Sequence, residues 1–226
     1  MAFGFRSIND SSYVQIDSDA PRLCLIEKGV YNGPSYQVTV QFASPVQSIE
    51  PPMVFIRPSG KNTDELYAAQ FLNGSSGNWT GFTVQSININ YVPSGDWFVA
   101  FFGARANAGY GMRIWDGGSK LLYDSGSTPV VVTAVLPTWT YVGKLTQAYY
   151  GAYYKWVAGR GLAPGEYFCL NDFSLGVADT NGTGSLCGIS NDYVNNQIAL
   201  WAFNSTSGGP NTALGHRPII FAKIVV

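Results

Sequence analysis

Residues 36–42 read Tyr-Gln-Val-Thr-Val-Gln-Phe, with Tyr36, Val38, Val40 and Phe42 on one parity and Gln37, Thr39 and Gln41 on the other. A period of two puts the apolar set on one side of a pleated strand and the polar set on the other, which is how a half-buried β-strand is written. The signal recurs along the chain. Phe82, Val84 and Ser86 keep one parity, after which Ile87, Ile89 and Tyr91 keep the other; one inserted residue produces that slip, so a β-bulge is expected near Ser86. Residues 97–102 (WFVAFF), 130–135 (VVVTAV), 198–203 (IALWAF) and 219–226 (IIFAKIVV) barely alternate, as expected of core strands covered on both faces. Pro51-Pro52, Gly60, Gly74, Gly117-Gly118, Gly159 to Gly161 and Gly208 to Pro210 punctuate these runs.

Composition agrees. Only 12% of the 226 residues are charged, with 4 Glu and 6 Lys, too few to dress the solvent face of amphipathic helices. Residues 144–158, KLTQAYYGAYYKWVA, are the one stretch open to a helical reading, but four tyrosines, one tryptophan and the central Gly151 favour a strand. A net charge of -1 supplies no electrostatic footprint for a phosphate backbone, so nucleic acid is not an expected partner. No apolar run approaches the roughly 18 to 20 residues that span a bilayer, and the first dozen residues lack the basic and apolar regions of a signal peptide; a soluble protein made in a cytoplasm is expected. Cys24, Cys169 and Cys187 are odd in number with no CxxC spacing, and all three are read as buried thiols.

Residues 3–18, FGFRSINDSSYVQIDS, align without gaps on residues 110–125, YGMRIWDGGSKLLYDS, at an offset of 107. Five positions are identical (Gly4/Gly111, Arg6/Arg113, Ser12/Ser119, Asp17/Asp124, Ser18/Ser125) and five more pair apolar with apolar. Each copy reads as a hairpin: a strand, a polar turn, a second strand and an Asp-Ser turn. The repeat predicts an all-β chain of two antiparallel β-sandwich-like units, residues 1–108 and 109–226, each opened by one copy.

Catalytic constellations are sparse. The single histidine, His216, precedes the last apolar run and reads as a loop or strand-edge residue; no GxSxG elbow, P-loop or dinucleotide fingerprint is present. Adjacent Asp64 and Glu65 would point to opposite faces of a strand and more simply solvate a loop. The oxygen-rich stretch 179–184, DTNGTG, has the look of a calcium loop without the closing Glu of an EF-hand, so no metal or cofactor is assigned, and calcium near Asp179 stays an open question. The sequon Asn78-Trp79-Thr80 carries little meaning without a secretory signal. What remains is aromatic. On a strand, Tyr150, Tyr154 and Trp156 share one face and Tyr149 and Tyr153 the other, so one set can fill the core while the other meets a protein partner or a glycan, unless all five rings fill the interior. Free sheet edges also need covering, and a chain with few lysines would cover them by assembly.

The second hairpin copy, with Tyr110-Gly111, the Asp116-Gly117-Gly118 turn and Leu121-Leu122-Tyr123-Asp124-Ser125, resembles a pattern in tail proteins of long-tailed bacteriophages. The preceding residues 97–111 and the N-terminal copy are similar to small tail-tip proteins that open with such a hairpin, although Asp10 and Ser11 replace the turn glycines and Ile16 the aromatic residue. The resemblance implies a non-enzymatic virion component at the tail tip, baseplate or fibre attachment point. Its partners would be other tail proteins, copies of itself and a host-surface glycan or protein receptor, with no insertion into a membrane. A carbohydrate-binding β-sandwich module is the alternative.

Overall fold

A computed structural model describes residues 6–8, 10, 14–17, 21–60, 67–86, 90–106, 109–147, 151–173, 177–178, 184–204 and 217–225. In chain order the strands are β1 (Arg6–Ile8), β2 (Val14–Asp17), β3 (Leu23–Asn32), β4 (Gln37–Val46), β5 (Met53–Pro58), β6 (Tyr67–Ser75), β7 (Asn78–Ser86), β8 (Ser94–Phe102), β9 (Arg113–Trp115), β10 (Leu121–Asp124), β11 (Val130–Leu136), β12 (Thr140–Gln147), β13 (Gly151–Val157), β14 (Tyr167–Cys169), β15 (Val177–Ala178), β16 (Gly184–Asp192), β17 (Gln197–Asn204) and β18 (Ile219–Ile224). Among the described residues the only helical element is a 3-10 turn at Asn171–Phe173. Within 144–158 the described residues 144–147 and 151–157 are β-structure, as their composition favours, but they belong to two paired strands, β12 and β13, rather than to one.

Two large antiparallel sheets carry the fold. One has the order β11-β18-β14-β5-β8-β3; the other runs β12-β13-β17-β16-β6-β7-β4, with β15 added against β16. They pack face to face through one main core. Phe42 and Phe82 of the larger sheet meet Trp97 of the smaller at centroid distances of 5.9 and 5.4 Å, and Val38, Val84, Ile189 and Leu200 oppose Ile56, Val99, Phe168 and Phe221.

The six-stranded sheet is also apolar on its other face. Leu23, Phe55, Phe98, Ala100, Val130, Cys169 and Ala222 form a second cluster to which all six strands contribute, with Phe55 stacked on Phe98 at 4.6 Å. Its edge strands meet at one end: Cys24 bridges Pro129, the Leu25 N–H donates to Thr128 O at 2.9 Å, and the Val225 N–H donates to Pro129 O at 3.1 Å. The sheet therefore curls on itself at that end around the second cluster, the way a small barrel covers its interior. Residues 97–102 thus bury alternate faces in two different cores, except that Phe102 is exposed. Residues 130–135 form core only in part, through Val130 and the half-buried Ala134. They make β11, an edge strand with one neighbour, and Val131, Val132 and Val135 are exposed.

Every edge ladder is broken. The pairing slips at Ile26 in β3, at Thr133 in β11, at Val142 in β12 and between Gln41 and Val46 in β4, whereas the interior ladders β5–β8, β13–β17 and β16–β17 run without a slip. Bulges twist an edge away from further pairing, so this chain protects its edges by shape where others use lysine. The bulge expected in the strand near Ser86 is not found in β7, and residues 87–89 lie outside the described set; the interior β6–β7 ladder does slip, with the extra residue at Ala68 of β6 and a second slip between Asn73 and Gly74.

Strands from both sides of residue 108 enter each large sheet: β14 pairs with β5, and β16 with β6. The division into units 1–108 and 109–226 is therefore not the division of the sheets. What the repeat does predict is local shape. Arg6, Ser7 and Ile8 oppose Asp17, Ile16 and Val14, while Arg113, Ile114 and Trp115 oppose Asp124, Tyr123 and Leu121. Each pair maps on its counterpart at the offset of 107, and both ladders skip the same place, Gln15 in one and Leu122 in the other.

Gly81 shows how closely β4 and β7 approach, since a Cβ there would lie 2.0 Å from Val40 O. Gly81→Ala is expected to destabilise the chain by about 1–3 kcal/mol through displacement of β4, read as a lower urea midpoint at unchanged slope.

Candidate functional site

At the end where β8 runs out, its two last rings leave the cores. Phe101 is half-buried and Phe102 is 59% exposed. Facing them is the β4–β5 connection, residues 47–52, whose backbone is held from behind by the β6–β7 turn: the Gly77 N–H and Trp79 Nε1 both donate to Ser48 O (2.9 and 3.0 Å), and Ser76 Oγ donates to Ile49 O at 2.9 Å. Gly77 permits this turn through a φ of 79°. Between the two walls lies a groove of about 970 Å³ with Pro21, Pro45, Ile49, Pro51, Met53, Phe101 and Phe102 on its apolar lining and Glu50, Arg105 and Lys120 at its charged margin.

Lys120 belongs to the β9–β10 hairpin, which stands apart from both large sheets. The Asp116 carboxylate shapes its turn by accepting the N–H groups of Gly118 (2.9 Å) and Lys120 (2.8 Å). Asp124, fully buried, accepts Arg113 Nε at 2.7 Å with one oxygen and the Gly126 N–H at 2.7 Å with the other, and the bulged Leu122 is buried beside it. An isolated two-stranded ribbon is marginal in water, so these inward groups anchor it. Its outward groups are large and apolar: Tyr110 is 95% exposed, Trp115 53%, and Met112 lies between, around a notch of about 470 Å³.

The aromatic cluster singled out from the sequence is placed differently. Tyr154 and Trp156 lie in the main core, Trp156 packed against Tyr141 at 5.4 Å. Tyr153 is on the opposite face of β13, also buried, edge-on to Trp201 at 4.7 Å, with Lys155 Nζ 4.6 Å above the Trp201 ring. None of the three offers an exposed ring. Tyr149 and Tyr150 lie outside the described residues, as do His216, Asp64, Glu65 and residues 179–183 of the suspected calcium loop. Cys24 is a free buried thiol, with burial pushing it up and so keeping it protonated, and Cys169 is buried beside Asn171; the Cys187 side chain is outside the described set. The groove and the exposed hairpin rings were missed because an apolar strand end reads like core until its neighbours are known.

A second part-buried charge network also serves structure. Glu166 joins the Arg160 guanidinium and accepts the Ala163 N–H at 2.9 Å, Arg57 donates to Ala163 O and Glu166 O at 2.9 and 2.7 Å, and Arg160 stacks over Phe221 at 4.6 Å. These groups clamp residues 160–166 over the six-stranded sheet. Among the described residues no three His, Cys, Asp or Glu side chains gather as a metal site.

Fold and surface define an antiparallel β protein with a rigid apolar groove beside an exposed aromatic hairpin. No family model, curated protein or solved structure matches the chain.

Burial opposes the charge on Glu166, but the Thr133 hydroxyl, the Ala163 N–H and the charge and hydrogen bond of Arg160 together outweigh it and hold the carboxyl below its ordinary value of 4.5. A depressed folded pKa contributes stability that is present above 4.5 and lost as the pH falls through the folded value. Glu166→Gln should therefore lower stability at pH 7 and flatten the acid limb below pH 4.5, measured by urea titrations across pH. Asn191 makes the opposite case: it is 3% exposed, on the parity of core residue Ile189, and neither amide atom has a hydrogen-bond partner in the chain. Asn191→Val is expected to raise stability by about 1–3 kcal/mol, since the substitution removes an uncompensated desolvation cost.

Proposed function

We propose that this chain is a non-enzymatic virion component of a long-tailed bacteriophage, working at the tail tip, baseplate or fibre attachment point by assembly with other tail proteins and copies of itself. Contact with a host-surface glycan or protein is part of the same reading. The observation that carries it is the hairpin pair: two ribbons of one register and one bulge position, the second presenting Tyr110, Met112 and Trp115 to solvent. Rings so exposed, on an element anchored from inside by Asp124 and Leu122, are suited to become buried against a partner. What the two-unit expectation retains is this pair. The bulged edges weaken one reason for assembly, because the strands do not need a neighbour to cover them, and they move the expected contact from strand edges to the hairpin. A carbohydrate-binding module is the competing reading, and the rings first assigned to it, Tyr153, Tyr154 and Trp156, are buried.

The test is the double variant Tyr110→Ser, Trp115→Ser, produced in infected cells in place of the wild-type chain and followed into purified particles. Both side chains are exposed, so stability should change by less than about 0.5 kcal/mol. Incorporation should fall at least tenfold while thermal melting stays unchanged. Normal incorporation would remove the hairpin as the contact, and normal incorporation with lost binding to host polysaccharide would favour the glycan reading.

A further inference from the structure

The groove beside the hairpin is a second binding feature, distinct from the exposed rings. We infer that it takes an extended, apolar segment of a partner protein that carries a carboxylate; this rests on the assembly reading and names the chemistry of one partner. Its walls are set before anything binds. Three hydrogen bonds to Ser48 O and Ile49 O fix one side, Ser48 Oγ donates to Glu50 O at 2.6 Å, and the Gly103 N–H donates to Arg22 O at 3.0 Å behind the other. Preorganised walls cost a ligand little ordering, which is where grooves of this size gain affinity.

The lining decides between ligand classes. Pro21, Pro45, Ile49, Pro51, Met53 and Phe102 present hydrocarbon, Ser48 is already spent on the loop's own backbone, and Ser44 and Gln47 are the remaining neutral polar side chains on the lining. A sugar laid there would lose water from its hydroxyls with few partners to replace it, at a cost of about 1–3 kcal/mol for each unpaired group. Apolar peptide side chains would lose little there, provided that the segment keeps its backbone N–H and C=O groups turned to the open side of the groove. Charge then selects among peptides: Arg105 and Lys120 form no ion pair among the described residues, whereas Glu50 supplies the only negative charge on the lining. The margin is net positive, in a chain whose total charge is -1, and so favours a carboxylate.

The experiment is selection of a random decapeptide display library on the full-length chain, followed by fluorescence titration of the enriched peptides against wild type, Phe102→Ser and Arg105→Glu. Enriched peptides should pair Asp or Glu with Leu, Phe or Met. Their affinity should fall at least tenfold in Arg105→Glu and several-fold in Phe102→Ser, and should weaken as salt is raised. Near-ultraviolet circular dichroism and melting of both variants check that the fold is intact. Enriched peptides without a carboxylate, or binding indifferent to both substitutions, would overturn the inference. So would oligogalacturonate binding in the groove with the same residue dependence, which would assign it to an acidic glycan. Peptides that depend on Tyr110 and Trp115 instead would sink the groove while leaving the assembly reading standing; loss of that reading alone would appear in the particle experiment and not here.

Discussion

A sheet that is apolar on both faces has no solvent side, and the six-stranded sheet of this protein is such a sheet. In β8, Trp97 and Val99 enter the main core while Phe98 and Ala100 enter the second, and β5, β14 and β18 split their side chains the same way. Burying one such large side chain is worth about 1.5–3 kcal/mol. Leaving Phe55, Phe98 and their neighbours in water would forfeit an amount comparable to the 5–15 kcal/mol that holds a typical domain together. One face is covered by the larger sheet. The other is covered by the sheet's own curl, which brings β3 to the chain entering β11 at Cys24 and Pro129.

That closure decides what is left at the surface. Once the two edges meet at one end, and each edge strand carries a bulge, the chain presents few regular unpaired backbone groups to a second sheet. Side chains then supply the contact surface. They concentrate where β8 leaves the cores at Phe101 and Phe102, and where the β9–β10 hairpin stands clear of both sheets. Lys120 belongs to both places, so groove and hairpin form adjoining parts of one end of the molecule.

Local period was legible and long-range pairing was not. Alternation at Val38, Val40 and Phe42 marks β4 correctly, and the repeat foretells the two hairpins down to their shared slip, because a hairpin's shape is encoded within a few residues of its turn. Nothing local tells an apolar edge strand from an apolar central one. Val131, Val132 and Val135 read like Val99 and Ala100, and only the absence of a second neighbour exposes them. The same limit hides Phe102 and makes Tyr153 look available, since its cover comes from Trp201, 48 positions away. The sheets do not divide at residue 108 for the kindred reason that β14 and β16 find partners across it.

The few charges sharpen the choice between catalysis and binding. With 4 Glu in 226 residues, each buried carboxylate has visible work: Glu166 pins residues 160–166 through Arg160, and Asp124 anchors the hairpin through Arg113. Both accept guanidinium and backbone N–H donors, and for Glu166 the balance favours the ionised form. A general acid or base needs the contrary, a carboxyl with a pKa drawn toward neutrality and an unfilled face toward a substrate. Asp192 follows the same rule: burial opposes its charge, but Asn195, Gln197 and Lys155 hold it below its ordinary value at the end of β16. In the groove, where a ligand has room, the charged groups are exposed or half-exposed and the walls are hydrocarbon. On the proposed reading such a lining would orient and hold a segment of chain, while Glu166 and Asp124, among the described residues, are committed to holding residues 160–166 and the hairpin in place.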